Sequence, residues 1–297
     1  MTNDQDTSLE DGAFDDEAPG PLAEAYSRAL ALEKAGQTDA AVLAWQEVLA
    51  LDPADRGGAA VRLAAMGRAE APGKAPDAYV ALLFNQHADA FDDILVDQLG
   101  YAAPDLARER VEEVAPGRRE KMLDLGCGTG LAGLAFADMT DRITGVDLSE
   151  RMLERTDARE LYEALYLGEA VDFLTAEMTE GEEDDDPEFD SPWDLIVATD
   201  VLPYLGDPAA LLAGCARHMP PGGLLVFTTE TLSEEVFATT GRDWMVGADQ
   251  RFAHRGAAVV RALEDAGFAP LSMELFTVRT NQGRPEPGHM IIARRLG

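Results

Sequence analysis

Cysteine and long apolar runs are scarce in this chain. Only Cys127 and Cys215 are present, too few for the disulfide framework of many small secreted proteins. No apolar run approaches the roughly 18 residues that indicate a membrane span. The sequence also has no basic stretch followed by an apolar core, the pattern typical of a signal peptide. We therefore expect a cytoplasmic protein with no membrane partner.

Positive charge is scarce as well. The 297 residues contain 24 Lys and Arg against 56 Asp and Glu, which gives a net charge of −32 at pH 7. Such a surface repels polyanions, so we expect no nucleic-acid partner. Hydrophobic residues still make up 46% of the chain, which is enough to bury a core. The length suggests two domains, or one large domain with an appendage.

Three segments differ in composition. Residues 1–20 are acidic and show no hydrophobic period, which predicts a disordered tail. Residues 21–72 are rich in Ala and Leu at helical spacing, and they predict two helices that end before Pro53. Residues 73–297 are expected to form the main domain. Its first part, residues 73–117, predicts two lead-in helices, at 79–99 and 101–114, which could cover a site.

An alternating pattern follows the lead-in helices. Short apolar runs at residues 122–125, 143–146, 195–198 and 224–228 are separated by helix-like stretches. This alternation predicts an α/β fold with a parallel sheet and helices on both faces. Two last strand candidates, residues 271–278 and 290–293, are joined by so short a link that they must pair antiparallel.

A glycine-rich loop follows the first of these runs, with the sequence Asp124-Leu125-Gly126-Cys127-Gly128-Thr129-Gly130. Glycines let a ligand approach the backbone, and the helix that follows offers unpaired N–H groups. Asp147 ends the second run, where a carboxylate can accept hydrogen bonds from a ribose. The third glycine comes one residue earlier than in the dinucleotide fingerprint, and Asp124 suits a cationic ligand better than a pyrophosphate. We therefore predict S-adenosylmethionine as the cofactor, rather than NAD.

Four segments together resemble the class I S-adenosylmethionine-dependent methyltransferases in order and spacing. They are the glycine loop, Gly-Val-Asp-Leu-Ser at 145–149, Trp-Asp-Leu-Ile-Val at 193–197 and Pro-Gly-Gly at 221–223. The resemblance covers about residues 79–295. It implies a Rossmann-like, doubly wound, seven-stranded sheet with an antiparallel last strand.

The N-terminal helices resemble one tetratricopeptide repeat. Ala29 and Ala41 fall where the two helices of that repeat touch, and Pro53 falls at its closing proline. The whole chain thus resembles a bacterial group of predicted methyltransferases with such repeats. One repeat cannot bury a solenoid core alone. This tetratricopeptide-like segment therefore packs on the main domain, joins two copies as a homodimer, or offers a groove to a peptide.

The methyltransferase resemblance also implies a set of cofactor-binding residues. They are Asp124, Gly126, Cys127, Gly128, Thr129 and Gly130 at the methionine end, Asp147 and Leu148 at the ribose, Met152, Glu169 and Ala170 at the adenine, and Thr199 near the sulfonium. Two of these have a simpler alternative, because Glu169 could be a surface acid and Cys127 could serve only in packing.

The acceptor side is less determined by sequence. A methyl group leaves a sulfonium by in-line displacement, so positioning dominates, and a general base is needed only when the nucleophile must lose a proton. The candidate catalytic residues are His254, Asp200 and Tyr204, and the candidate substrate contacts are His87, Tyr79 and Arg279. His254 could instead be a helix-start residue, and Tyr204 could simply pack.

One departure from a related group bears on metal use. Quinone-pathway O-methyltransferases of this fold typically carry a Glu-x-x-Glu-His pattern after strand four. Here the stretch reads Asp200-Val201-Leu202-Pro203-Tyr204. We therefore expect no metal.

The pattern as a whole predicts methyl transfer to an O, N or S nucleophile of a small molecule. One alternative is a protein methyltransferase whose helical repeat recruits the substrate. Another is a non-catalytic module that binds the cofactor, although such a module would have no need to keep Asp124, the three glycines and Asp147.

Overall fold

The structure is a computed structural model that describes residues 20–92, 100–176, 192–281 and 284–297. Apart from Gly20, the predicted acidic tail lies outside the described residues. So do the end of the first predicted lead-in helix and residues 180–190, an acidic stretch before the fourth predicted strand that is expected to form a solvated loop.

Three helices form the N-terminal part of the described chain: α1 (Pro21–Lys34), α2 (Thr38–Leu51) and α3 (Ala59–Ala65). Ala29 and Ala41 are fully buried between α1 and α2, where their small side chains allow close approach. Trp45 is also fully buried, and its Nε1–H donates to Glu33 over 2.8 Å. The predicted pair of helices is therefore present, with a third helix beside it.

Two lead-in helices follow: α4 (Asp77–His87) and α5 (Ala103–Val114). The first ends at His87, earlier than the predicted residue 99. The chain turns there, and Phe91 packs edge-on against Phe84 with ring centroids 5.7 Å apart. Tyr79 and Val80 of α4 share a buried cluster with Val61 of α3, so the N-terminal helices are continuous with the main domain.

The remaining chain alternates strands and helices as predicted. Its first half comprises β1 (Arg119–Leu125), α6 (Leu131–Phe136), β2 (Thr140–Asp147), α7 (Glu150–Asp157), β3 (Ala164–Leu167), α8 (Ala170–Thr175), β4 (Leu195–Ala198), α9 (Ala209–Arg217) and β5 (Leu224–Thr231). Its second half comprises α10 (Glu234–Thr240), β6 (Trp244–Val246), β7 (Phe252–His254), α11 (Gly256–Asp265), β8 (Phe268–Asn281) and β9 (Arg284–Arg295).

The sheet has a parallel part and an antiparallel edge. The parallel strands lie in the order β3-β2-β1-β4-β5. β9 pairs antiparallel with β5 and β8 pairs antiparallel with β9, which confirms the antiparallel last strand. The predicted count of seven is wrong, because the described residues contain nine strands. The additional β6–β7 hairpin pairs with Glu230 and Thr231 at the end of β5, and its three-residue strands are too short to show an alternating pattern.

Helices cover both faces of the sheet. Leu195 and Val197 of β4 face a cluster that includes α5, α6 and α7, whereas Ile196 faces a cluster with α8, α9 and α11. Alternate residues of a strand point to opposite faces, so a central parallel strand must be apolar throughout. The doubly wound arrangement brings the carboxyl ends of β1, β2 and β4 to one edge, where ligands bind in open α/β sheets.

Within the described residues, no helix is long and apolar enough to cross a bilayer.

A substitution at Gly58 tests whether its contact with Tyr79 joins the N-terminal helices to the main domain. Gly58 has φ +65, and an added Cβ would lie 2.8 Å from two Tyr79 ring carbons. We expect Gly58→Ala to lower the free energy of unfolding by about 1–3 kcal/mol, from backbone strain and this clash. Gly36→Ala is the matched control, since Gly36 has φ +68 but no atom within 4 Å of the added Cβ. Equal losses in urea unfolding of the two variants would contradict the contact.

Candidate active site

The glycine loop after β1 is held against the end of β2. The N–H groups of Gly126 and Cys127 both donate to the Val146 carbonyl, over 2.8 and 3.0 Å. Gly126 has φ +65, and an added Cβ would lie 2.7 Å from Val201 Cγ2. This position therefore requires glycine, because the loop passes directly against the segment after β4.

Asp147 connects the loop to the second strand. Its Oδ2 accepts from the Gly128 N–H and its Oδ1 from the Ser149 N–H, each over 2.8 Å. Burial raises the pKa of Asp147 to about 6, although these backbone N–H groups oppose the shift. A carboxylate has about four acceptor positions, so Asp147 can accept further hydrogen bonds from a ligand.

Asp124 lies beneath the loop. It is 1% exposed, and its Oδ2 accepts from the Tyr162 hydroxyl over 2.6 Å. Burial raises the pKa of Asp124 to about 7, a shift that the Tyr162 hydrogen bond opposes. Because Asp124 does not line the pocket, the structure gives it a supporting position under the loop.

A cavity opens beside the loop at the carboxyl edge of the sheet. Most of the predicted cofactor residues line it, namely Gly126, Cys127, Gly128, Thr129, Asp147, Leu148, Glu169, Ala170 and Thr199. The linker before α4 and α4 itself form its opposite wall with Lys74, Asp77, Val80 and Phe84. Glu169 is 8% exposed, and its Oε2 accepts from the Asp172 N–H at the start of α8. Glu169 is therefore a pocket residue and not a surface acid.

Glu169 follows β3 and Asp200 follows β4, and β2 and β1 lie between these two strands in the sheet. The end of the cavity beside β4 therefore holds two of the three predicted catalytic residues. Asp200 and Tyr204 line it, together with the rings of Phe84, Phe91 and Tyr101. Asp200 adopts the left-handed conformation with φ +65, a region that few non-glycine residues occupy. Its N–H donates to Thr228 Oγ1 over 2.9 Å. Burial raises the pKa of the Tyr204 hydroxyl to about 12.

A buried ionic network supports this end. Arg251 contacts Asp200 Oδ1 and Glu230 Oε1, both at 2.5 Å, and donates to the Tyr204 hydroxyl over 2.8 Å. Arg279 also contacts Glu230, at 2.9 Å, and Asp249 at 3.1 Å. Burial alone would raise the pKa of Glu230, but the two arginines hold it below its ordinary value.

Sequence reasoning named Asp200, Tyr204 and Arg279 but missed Arg251, Glu230 and Asp249. Glu230 could have been predicted, because charged residues at the carboxyl ends of parallel strands meet at one edge of the sheet. Arg251 directly precedes β7, where no strand pattern marks its position. The network leaves Arg279 in two ion pairs and outside the cavity lining, so the structure does not bring it to the predicted substrate contact.

Five other predicted residues also lie away from the cavity lining. His254 is 1% exposed, and its Nε2 lies 2.8 Å from the Leu205 carbonyl. Burial lowers the pKa of His254 to about 4. This residue lies beside a separate cleft, next to α9 and α11. Met152 is fully buried in the core, because the helix that carries it packs on the sheet. Tyr79 packs on Gly58, His87 Nδ1 lies 2.7 Å from the Leu83 carbonyl, and Gly130 caps the start of α6.

The described ranges contain no group of three or more His, Cys, Asp or Glu side chains arranged to hold a metal ion.

Comparisons with known proteins agree with this architecture. A family model described as a methyltransferase domain matches residues 99–273, more than half of the chain. The ubiquinone biosynthesis O-methyltransferase of Thiobacillus denitrificans is 30% identical over 161 residues, which are 54% of this chain and 66% of that protein. The protein of the same name from Idiomarina loihiensis is 32% identical over 128 residues, which are 43% of this chain and 46% of that protein. The match thus spans less than two thirds of the length of these relatives.

Solved structures share the fold at low sequence identity. The 1,6-didemethyltoxoflavin-N1-methyltransferase of Burkholderia thailandensis, with bound 1,6-didemethyltoxoflavin and S-adenosylhomocysteine, has a TM-score of 0.53 at 18% identity, over 77% of this chain and 94% of that one. The N-methyltransferase NodS of Bradyrhizobium japonicum, in complex with S-adenosylhomocysteine, has a TM-score of 0.51 at 16% identity, over 73% and 98%. The family match, together with this shared fold, shows that the chain belongs to the class I S-adenosylmethionine-dependent methyltransferases.

Proposed function

We propose that this chain transfers a methyl group from S-adenosylmethionine to a nucleophile of a small molecule. The observation that carries the proposal is the convergence of the glycine loop, Asp147 and Glu169 on one cavity, whose other end holds Asp200 and Tyr204. One wall thus offers groups that suit a nucleoside, and the far end offers groups that suit a methyl acceptor.

The residues at the cofactor end fit S-adenosylmethionine chemically. Asp147 keeps acceptor capacity for ribose hydroxyls beside the loop, as described above. Glu169 Oε1 has no hydrogen-bond partner among the described residues and can accept from the adenine amino group. The carboxylates in the lining, with Lys74 as their one cationic neighbour among the described lining residues, suit a ligand with a sulfonium and an ammonium group. The bound cofactor would supply the electrophilic methyl group.

The residues at the acceptor end fit an O–H or N–H nucleophile. Arg251 engages Asp200 Oδ1, while Asp200 Oδ2 has no hydrogen-bond partner in the part of the chain that the structure describes. That oxygen can accept a hydrogen bond from the acceptor and direct its lone pair toward the methyl group. Burial raises the pKa of the Cys127 thiol, so it stays protonated and is no competing nucleophile.

The relatives bear on the atom that is methylated. The two relatives reported above from Thiobacillus denitrificans and Idiomarina loihiensis are named O-methyltransferases, which supports an oxygen nucleophile. Pro203 and Tyr204 replace the Glu-His pair typical of the quinone-pathway enzymes, and Tyr204 packs edge-on against Phe84 at 5.5 Å. The acceptor end therefore differs in this chain, and we do not extend the quinone acceptor to it.

The N-terminal helices enter the proposal as a tetratricopeptide-like segment that covers the main domain. The buried Ala29, Ala41 and Trp45 support this identification, as does the cluster shared by Val61 and Tyr79. Recruitment of a protein substrate, a homodimer through these helices and a cytoplasmic location remain predictions.

Methyl transfer can be tested without knowing the acceptor. The protein is incubated with S-adenosylmethionine that carries a labelled methyl group and with a cleared extract of the source cells, and the products are separated by size. We expect label in the small-molecule fraction. Label on macromolecules that is lost after protease treatment would instead support a protein substrate. Cofactor binding without label in either fraction would favour a binding module.

Asp147 tests the cofactor end. We expect Asp147→Ala to weaken S-adenosylmethionine binding by about 1–3 kcal/mol in calorimetry, because charged hydrogen bonds to the ligand are lost. Asp141→Asn is a matched control on the same strand, since Asp141 is half exposed and pairs only with Arg118 among the described residues. Unchanged affinity in the Asp147 variant would refute the ribose assignment.

Arg251 tests the acceptor end. A lysine keeps the charge but cannot contact Asp200, Glu230 and Tyr204 together, as the planar guanidinium does. We expect Arg251→Lys to slow methyl transfer to the extract acceptor about tenfold while cofactor affinity is kept. Arg261→Lys on the exposed face of α11 is the control. Equal losses of transfer and cofactor affinity would show that Arg251 maintains the fold and not the acceptor end.

A further inference from the structure

The linker between α3 and α4 crosses the cavity and pairs with the segment after β4. The Ala75 N–H donates to the Tyr204 carbonyl, and the Gly206 N–H donates to the Gly73 carbonyl, each over 2.8 Å. Lys74 thus sits opposite Leu205 in a short antiparallel bridge. These contacts fix the linker backbone at the wall of the cavity, and the side chain of Lys74 faces the site.

Lys74 approaches the carboxylate that we assign to the adenine end. Its Nζ lies 2.9 Å from Asp77 Oδ1 and 3.7 Å from Glu169 Oε2. No other cationic residue lines the cavity in the described ranges. Glu169 is 8% exposed, whereas the Lys74 side chain is 38% exposed, so the pair lies at the boundary of the buried region.

The charged groups around Glu169 come from three elements. They are Lys74 on the linker, Asp77 at the start of α4 and Asp172 on α8. Burial raises the pKa of Glu169, and the Asp172 N–H and Lys74 oppose that shift, while the carboxylates of Asp172 and Asp77 add to it. Lys74 is therefore the one cation in this set that favours the ionised carboxylate.

We propose that Lys74 is a positioning residue of the cofactor site: it holds the Glu169 carboxylate so that Oε1 accepts a hydrogen bond from the adenine amino group. The inference rests on the proposed function and adds a residue from outside the methyltransferase motifs. It gives the linker a role in cofactor affinity, because the backbone bridge to Leu205 sets the place of Lys74.

Loss of the Lys74 charge should make the affinity for the cofactor depend more strongly on pH. A neutral residue at position 74 would raise the pKa of Glu169 further, so Glu169 would become protonated at a higher pH than in the wild type. A protonated carboxyl accepts hydrogen bonds more weakly than a carboxylate. The affinity of a Lys74 variant should therefore fall increasingly below that of the wild type as pH is lowered. Other groups that titrate in this range, such as Asp147, are common to both proteins.

The experiment measures the Kd of S-adenosylhomocysteine by calorimetry for the full chain between pH 6 and pH 8.5. We expect Lys74→Met to raise the Kd about fivefold at pH 6, the upper range for a partly exposed ion pair, and by less than about twofold at pH 8.5. Lys74→Arg should restore most of the affinity. Lys34→Met, at the exposed end of α1, is the control for loss of a lysine. Thermal unfolding checks that each variant is folded.

A double-mutant cycle separates action through Glu169 from a packing role of the linker. We expect Lys74→Met to have no pH-dependent effect in a Glu169→Gln background. A ratio of Kd values that is constant with pH, or an effect that persists in the Glu169→Gln background, would overturn the inference alone. Failure of the wild-type chain to bind S-adenosylhomocysteine would overturn the proposed function and this inference with it.

Discussion

The hydrogen bond from the Gly128 N–H to Asp147 is the constraint on which the site depends. It joins the loop after β1 to the end of β2, at the edge where parallel strands deliver their last residues. The same carboxylate also accepts from the Ser149 N–H at the start of α7. One buried acid therefore fixes the loop, the second strand and the helix that follows it, and still has acceptor capacity for a ligand.

The carboxylates at the two ends of the cavity differ in how far they are paired with cationic side chains. At the cofactor end, burial raises the pKa of Asp147, to about 6, and of Glu169, and the described residues give these acids few cationic partners. At the acceptor end, Arg251 and Arg279 neutralise most of the charge of Asp200, Glu230 and Asp249. This contrast suits a cationic cofactor at one end, and at the other a single oriented carboxylate oxygen for the acceptor.

The sequence predicted the parts that depend on local pattern. The apolar runs of β1, β2, β4 and β5, the glycine loop and Asp147 follow from periodicity and position alone. The β6–β7 hairpin does not, because strands of three residues carry no pattern and their pairing with β5 is a long-range contact. Arg251, next to this hairpin, and Lys74, on the linker, reach Asp200 and Glu169 through tertiary packing, which leaves no local pattern in the sequence. His254 is a candidate from its residue type and its place after the fifth strand, and neither feature reveals its burial against backbone carbonyls.

The central claim is that four separate segments meet around one cofactor. Backbone hydrogen exchange of the full chain, with and without S-adenosylhomocysteine, tests it most directly. We expect slower exchange on binding in residues 126–130, 147–149, 168–170 and 73–77, with no change in residues 21–51. Binding that leaves the first two segments unchanged, or slows exchange only elsewhere, would contradict it.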